Sequence, residues 1–195
     1  MNYMNQMNDN KPKVKAKVYK KYPISSLLIY NGTTILHFLI GGFGFIIGYD
    51  FLCCNLGYIF GIIYLAFAFI QMYIIMPLTV CPNCVYYKMQ GGLCTSGMNL
   101  VSRKIAKEGD IKNFGNRAIG YLSHNKLYMA ALFIPIIALI PALILNFSIV
   151  LLILFLIVLG LLMFRFFVVF KRTACVHCSA KYRCPNAKAM GIVGD

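Results

Sequence analysis

The sequence predicts an all-α integral membrane protein: four transmembrane helices arranged as two hairpins, with cytosolic Cys-rich knuckles after helices 2 and 4. Three observations carry this. Of 195 residues, 60% are hydrophobic and only 12% charged, with a mean hydropathy of +0.73. That is too little charge to clothe a water-facing domain. The 19 Lys and Arg are segregated into blocks separated by two long charge-poor stretches, 22–87 and 127–164, in which Asp50 is the one charged residue. A CxxC pair and a further cysteine follow the last apolar run of each stretch.

Taken in order, residues 1–24 form a basic segment with six lysines from Lys11 to Lys21. The first hairpin, 25–78, comprises spans over 25–48 and 57–78, each meeting the ~20 apolar residues that cross ~30 Å of hydrocarbon. Tyr49 to Leu56, with Asp50 and Asn55, is the turn between them. Span one carries Asn31, Thr33, Thr34 and His37, then Gly41, Gly42, Gly44 and Gly48. Small residues let helices approach closely, and polar ones face the bundle interior.

Residues 79–127 form a basic connection that contains Cys81, Cys84 and Cys94. Within its 97–126 portion, Met98, Val101 and Ile105 fall near helical spacing, with Arg103, Lys104 and Lys107 on other faces. This pattern fits a short helix on the membrane surface as well as it fits a solvated loop. The second hairpin, 128–170, has spans over 128–146 and 149–170 joined by a turn at Asn146 to Ser148. Pro135 and Pro141 should bend the third span. The fourth is almost pure Leu, Ile, Val and Phe until Arg165, which is expected to snorkel to the headgroups. The tail, 171–195, holds Cys175, Cys178 and Cys184.

Orientation follows from the Lys/Arg bias of short loops. Both hairpin tips lack Lys and Arg, so both termini and all six clustered cysteines are expected in the cytosol, with the chain in the cell membrane. The first span reads as a signal anchor, because a second span follows directly and no small-residue cleavage site intervenes. The net charge of +14 then serves topology and attraction to anionic lipid headgroups. It accompanies no nucleic-acid reader motif, which excludes that class.

The chain therefore reads twice. Cys81 and Cys84 are followed 94 residues later by Cys175 and Cys178, although the side-chain match elsewhere is weak. Two such hairpins side by side would be related by an axis along the membrane normal.

In a reducing cytosol a stable disulfide is a poor expectation, which leaves three chemistries. Two CxxC pairs can supply the four thiolates of a tetrahedral zinc site, and CPNC over 81–84 resembles a zinc knuckle locally. Cys94 and Cys184 would then be reserve ligands or a second, incomplete site, with His124 and His177 as candidate nitrogen donors. An iron–sulfur cluster also uses thiolates at short spacing, and Cys184-Pro185 is similar to the end of ferredoxin cysteine runs. Neither half has four cysteines, so a cluster would draw on both. A dithiol–disulfide couple is the third, though cytosolic placement argues against it.

The metal candidates are thus Cys81, Cys84, Cys94, Cys175, Cys178 and Cys184, with zinc as the expected cofactor and iron–sulfur as the alternative. A zinc site would serve a structural, adaptor or sensing role. A redox protein would exchange electrons with a quinone or a soluble carrier. Partners beyond the lipid bilayer would be a membrane or soluble protein.

Among the remaining signals, Cys53 and Cys54 read as apolar cysteines of the outer turn. His37 has no second mid-membrane His for haem ligation, so it should hydrogen-bond a Thr or Asn of a neighbouring helix, with Gln71 as a candidate partner. With five acidic residues and no phosphate loop, Ser elbow or His-Glu zinc helix, no catalytic machinery can be assigned.

Overall fold

The computed structural model describes residues 16–52, 55–118 and 123–193. Among them there is helix and turn but no strand, only an isolated parallel bridge between Lys21 and Leu93. The long helices are α1 (Ile24–Gly48), α2 (Leu56–Ile70), α5 (His124–Leu145) and α6 (Ile149–Phe164), with short helices α3 (Val85–Lys88), α4 (Met98–Ile105) and α7 (Pro185–Ala189). Both α2 and α6 continue as π-helix, over Gln71–Val80 and Arg165–Ala174.

Four helical runs, Ile24–Gly48, Leu56–Asn83, His124–Leu145 and Ile149–Ala174, are thus long and apolar enough to cross a membrane. The second and fourth pass the expected ends at 78 and 170; in the fourth, Lys171 and Arg172 interrupt an apolar run without interrupting a helix. Outward side chains such as Ile63, Ile144 and Leu156 are 61, 77 and 56% exposed, a surface suited to lipid contact.

Glycines bring the helices together. A Cβ at Gly57 would lie 2.6 Å from the Ile46 carbonyl oxygen, and one at Gly61 2.9 Å from that of Gly42. Helices α1 and α2 therefore touch backbone to backbone, as small-xxx-small spacing permits. Helix α1 also packs on α5 and α6. Pro135 has no N–H for the carbonyl of Ala131, and the Tyr64 hydroxyl donates to that oxygen at 2.9 Å. The proline's lost bond is answered from α2.

The repeat extends well beyond the cysteines. The two π segments are 94 residues apart at both ends (165 minus 71, 174 minus 80) and each runs into a CxxC pair. Long π-helix is rare and clusters at functional sites. Across α1 and α5, positions 94 apart meet: a Cβ on Gly41 would come within 2.9 Å of Pro135 Cβ, and one on Gly48 within 2.9 Å of Ala142 Cβ. These pairs are seven residues, two helical turns, apart. Residues that contact their own counterparts lie along a pseudo-two-fold axis parallel to the helices.

Polar side chains obey the same relation. Asn31 Nδ2 donates to the Ser96 carbonyl at 3.1 Å, and its counterpart Asn125 donates through Nδ2 to Asn186 Oδ1 at 2.6 Å. Ser96 and Asn186 each stand two residues past a third cysteine. Gln71 bonds His124 at the start of α5, while its counterpart Arg165 bonds Tyr30, the counterpart of His124, in α1.

Two expectations are corrected here. Arg165 does not snorkel: it is fully buried, and Nη1 donates to the Tyr30 carbonyl at 3.3 Å and to Thr34 Oγ1. Tyr30, Tyr128 and Phe170 surround its guanidinium at 4.8, 5.5 and 5.0 Å, an inward cage that competes with the headgroups and wins. His37 is also fully buried, but its Nε2 meets the Leu132 carbonyl at 3.0 Å rather than a Thr or Asn. Gln71, spoken for by His124, is not its partner.

Candidate metal centre

The two CxxC pairs sit where the π segments tighten into turns. Cys84 N–H donates to the Cys81 carbonyl at 3.0 Å, and Cys178 N–H to that of Cys175 at 3.2 Å. Between the cysteine loops runs the segment that leads into α1. Tyr22 and Leu93 share a backbone bond of 3.0 Å, and Tyr19 N–H donates to the His177 carbonyl at 2.9 Å. The Tyr22 hydroxyl reaches the Ala174 carbonyl, and the Tyr86 hydroxyl the Tyr19 carbonyl at 2.6 Å. Three stretches distant in sequence are thus laced into one layer.

Helix α4 secures the first loop with its polar face. Asn99, 1% exposed, accepts from Cys94 N–H at 3.1 Å and donates to the carbonyls of Tyr86 at 3.3 Å and Gly92 at 2.9 Å. Arg103 adds bonds to the carbonyls of Tyr86, Tyr87 and Met89 at 2.7, 2.8 and 2.6 Å. The helix starts at Gly97, whose φ of 74° suits glycine. Of the expected apolar face, Val101 and Ile105 remain exposed, as does Leu100, whereas Met98 packs against the core.

Within this layer all six candidate cysteines line one cavity of about 160 Å³. No disulfide joins these six. His124, Tyr30, Tyr86 and Tyr128 share the wall with them, and among the described residues no carboxylate does. Among the described residues no three His, Cys, Asp or Glu side chains converge as a group that could hold an ion. The thiols surround a space instead of meeting at a point. Cys178 lies within electrostatic reach of Cys84, Cys175 and Cys184.

Of the two candidate nitrogen donors, His124 reaches the wall, with Nδ1 accepting from Gln71 Nε2 at 2.6 Å, which places the proton of its neutral ring on Nε2. His177 does not: its ring stacks on Tyr19 at 4.4 Å and its Nδ1 donates to the Lys17 carbonyl at 2.7 Å. Cys53 and Cys54 lie outside the described residues.

Burial governs the protonation of this layer. It holds the Cys178 thiol well above the ordinary range, and the neighbouring Cys84 and Cys175 push the same way. Burial also raises Tyr22, with Cys178 adding to it, and lifts Tyr86 to about 12. Lys181, 1% exposed with Nζ donating to the Val176 carbonyl at 2.9 Å, is lowered by burial while Cys178 opposes the shift.

Sequence spacing singled out the six cysteines that line this cavity but not the residues that surround them: Asn99, Arg103, Tyr86, Tyr22 and the pair Gln71 and Arg165. The constant offset of 94 between Asn31 and Asn125, and between Gln71 and Arg165, was the signal that could have found the last of these. Comparison with protein-family models, curated proteins and solved structures found no match.

Proposed function

We propose that this chain is a membrane redox protein whose two hairpins share one cytosolic iron–sulfur centre bound by cysteine thiolates. The observation that carries the reading is the cavity with six thiols on its wall. A single zinc ion needs four sulfurs at ~2.3 Å from one point, whereas these surround about 160 Å³. On the same measure a single water needs about 10–15 Å³, so the space suits a group of several atoms better than a lone ion. Six thiols on one wall, with no carboxylate among the described residues beside them, are the soft donor set that iron–sulfur chemistry uses. Thr95 Oγ1, on the same wall, is buried with no partner among the described residues, a further polar atom for an occupant to satisfy.

In this reading the basic loops hold both termini and the centre at the cytosolic face of the cell membrane, against anionic headgroups. The cluster, when bound, supplies one-electron chemistry, and the chain passes electrons between a membrane quinone and a soluble carrier. A second reading rests on Cys178, whose neighbours include Cys84 and Cys175. In it, small side-chain movements close Cys81, Cys84, Cys175 and Cys178 on a single zinc ion that pins the two helix ends together. Purification without oxygen, followed by iron, sulfide and zinc analysis with a visible spectrum, separates the two. Stoichiometric iron and sulfide with a visible absorption band is expected. Zinc alone, with no visible band, would replace the first reading by the second.

A further inference from the structure

Arg165 is a permanent cation at 0% exposure. Its Nε and Nη2 have no hydrogen-bond acceptor among the described residues. A buried charge is expensive unless something of opposite sign compensates it. The chain has five acidic residues, Asp9, Asp50, Glu108, Asp110 and Asp195. Of the described ones, Glu108 pairs with Lys88 at 2.9 Å, Asp110 accepts from the backbone of Lys112, and Asp50 follows the far end of α1. None serves Arg165.

What lies beside Arg165 is the cysteine cavity. Tyr30, Tyr128 and Phe170 line that cavity, and the same three rings enclose the guanidinium. The cation thus sits directly behind the cavity wall, separated from the thiols by aromatic rings that screen charge poorly. Lys181, also buried, adds a second cation at the layer of Cys178. The internal repeat shows that the fold does not need a charge at position 165. Its counterpart Gln71 is 1% exposed, begins the equivalent π segment and makes the equivalent bond across the halves with a neutral amide.

We infer that Arg165 is the built-in counter-charge of an anionic thiolate centre in the cysteine cavity. The inference rests on the proposed thiolate-bound centre but not on its being iron–sulfur. Four thiolates around Zn²⁺ leave two net negative charges, and thiolate-bound iron–sulfur clusters are also anionic, so both call for the same compensation.

The test uses the full chain in detergent, stripped of metal, and two probes: Zn²⁺ alone, and Fe²⁺ with sulfide. Wild type, Arg165→Lys, Arg165→Gln and Arg165→Met are compared for metal bound per chain, for affinity and for thermal stability with and without metal. Lys keeps the charge, Gln keeps donors for the Tyr30 carbonyl and Thr34, and Met keeps only bulk. A charge role predicts near-wild-type binding for Lys and roughly tenfold or greater weakening for Gln and Met. It also predicts that bound metal raises the stability of wild type and of the Lys variant more than that of the Gln and Met variants.

A purely structural role predicts that Gln binds like wild type and that Met is destabilised with and without metal. Equal binding by Lys and Gln would overturn the inference. If Met does not fold, Lys against Gln still decides. If wild type binds neither probe, the thiolate-centre reading fails first and the inference falls with it.

Discussion

Exchanging the small residues at the pseudo-symmetry axis tests the packing account. A methyl on Gly48 would sit 2.9 Å from Ala142 Cβ, with Leu151 Cδ1 at 3.4 Å. Carbon atoms prefer ~3.5–4.0 Å, so α1 and α5 must part by several tenths of an ångström or more. Overpacking of this kind costs ~1–3 kcal/mol, and Gly→Ala in a helix returns up to ~1 kcal/mol. Gly48→Ala should therefore lose ~0–2 kcal/mol. Ala142→Gly alone should lose ~1–2 kcal/mol through helix propensity and the removed methyl.

The double variant transfers the methyl from one side of the axis to the other and removes the clash. It should lie within ~1 kcal/mol of wild type, giving a favourable coupling of ~1–3 kcal/mol. Reversible unfolding in mixed micelles, followed by circular dichroism, measures the cycle. Additivity within ~0.5 kcal/mol would mean that Gly48 and Ala142 do not meet, and the axis would be wrong.

Three further outcomes are expected. Asn99→Ala leaves Cys94 N–H and the Gly92 carbonyl short of a partner, while the Tyr86 carbonyl keeps its bond from Arg103, costing ~2–4 kcal/mol by the penalty for stranded buried groups. Faster maleimide labelling of Cys94 would report it; unchanged labelling and stability would refute it. Tyr86, raised to about 12, holds its proton more tightly when folded than the ordinary ~10 of the unfolded chain. Its contribution is thus complete below pH ~10 and is lost as pH rises toward 12, about 3 kcal/mol in all. Tyr86→Phe should flatten alkaline unfolding over that window, and an unchanged slope would count against burial as the cause. A reporter enzyme active only in the cytosol should work when fused after residue 195 and fail when inserted in 49–55; activity at 49–55 would reverse the topology.

What the sequence disclosed was set by hydropathy and by cysteine spacing. The four apolar runs were legible because spanning lipid demands length and apolarity, whatever the partners. Their ends were less so. Helix α5 begins at His124 and the α6 run continues to Ala174, where neither composition nor propensity marks a stop. The cysteines were legible as a set because CxxC is a local pattern, but the way they surround a cavity depends on π segments that no local pattern signals. Arg165 was misplaced because, close to the expected end of a long apolar span, its sequence context is that of a snorkelling side chain. The choice between headgroup and interior was made by Tyr30, Thr34 and Tyr128, on other helices. His37 was assigned a side-chain partner because side chains are what a sequence displays; the carbonyl of Leu132 becomes available only once α5 is packed beside it.

The account's central claim is that both halves contribute thiolates to a single centre. It is tested most directly by measuring metal and sulfide per chain in two paired variants, Cys81→Ser with Cys84→Ser and Cys175→Ser with Cys178→Ser, purified without oxygen beside wild type. Ligands of one centre act as a unit, and their losses are not additive. Each pair alone should abolish binding in both halves together. If either variant retains about half of the wild-type metal, as two independent three-cysteine sites would, the shared centre is contradicted.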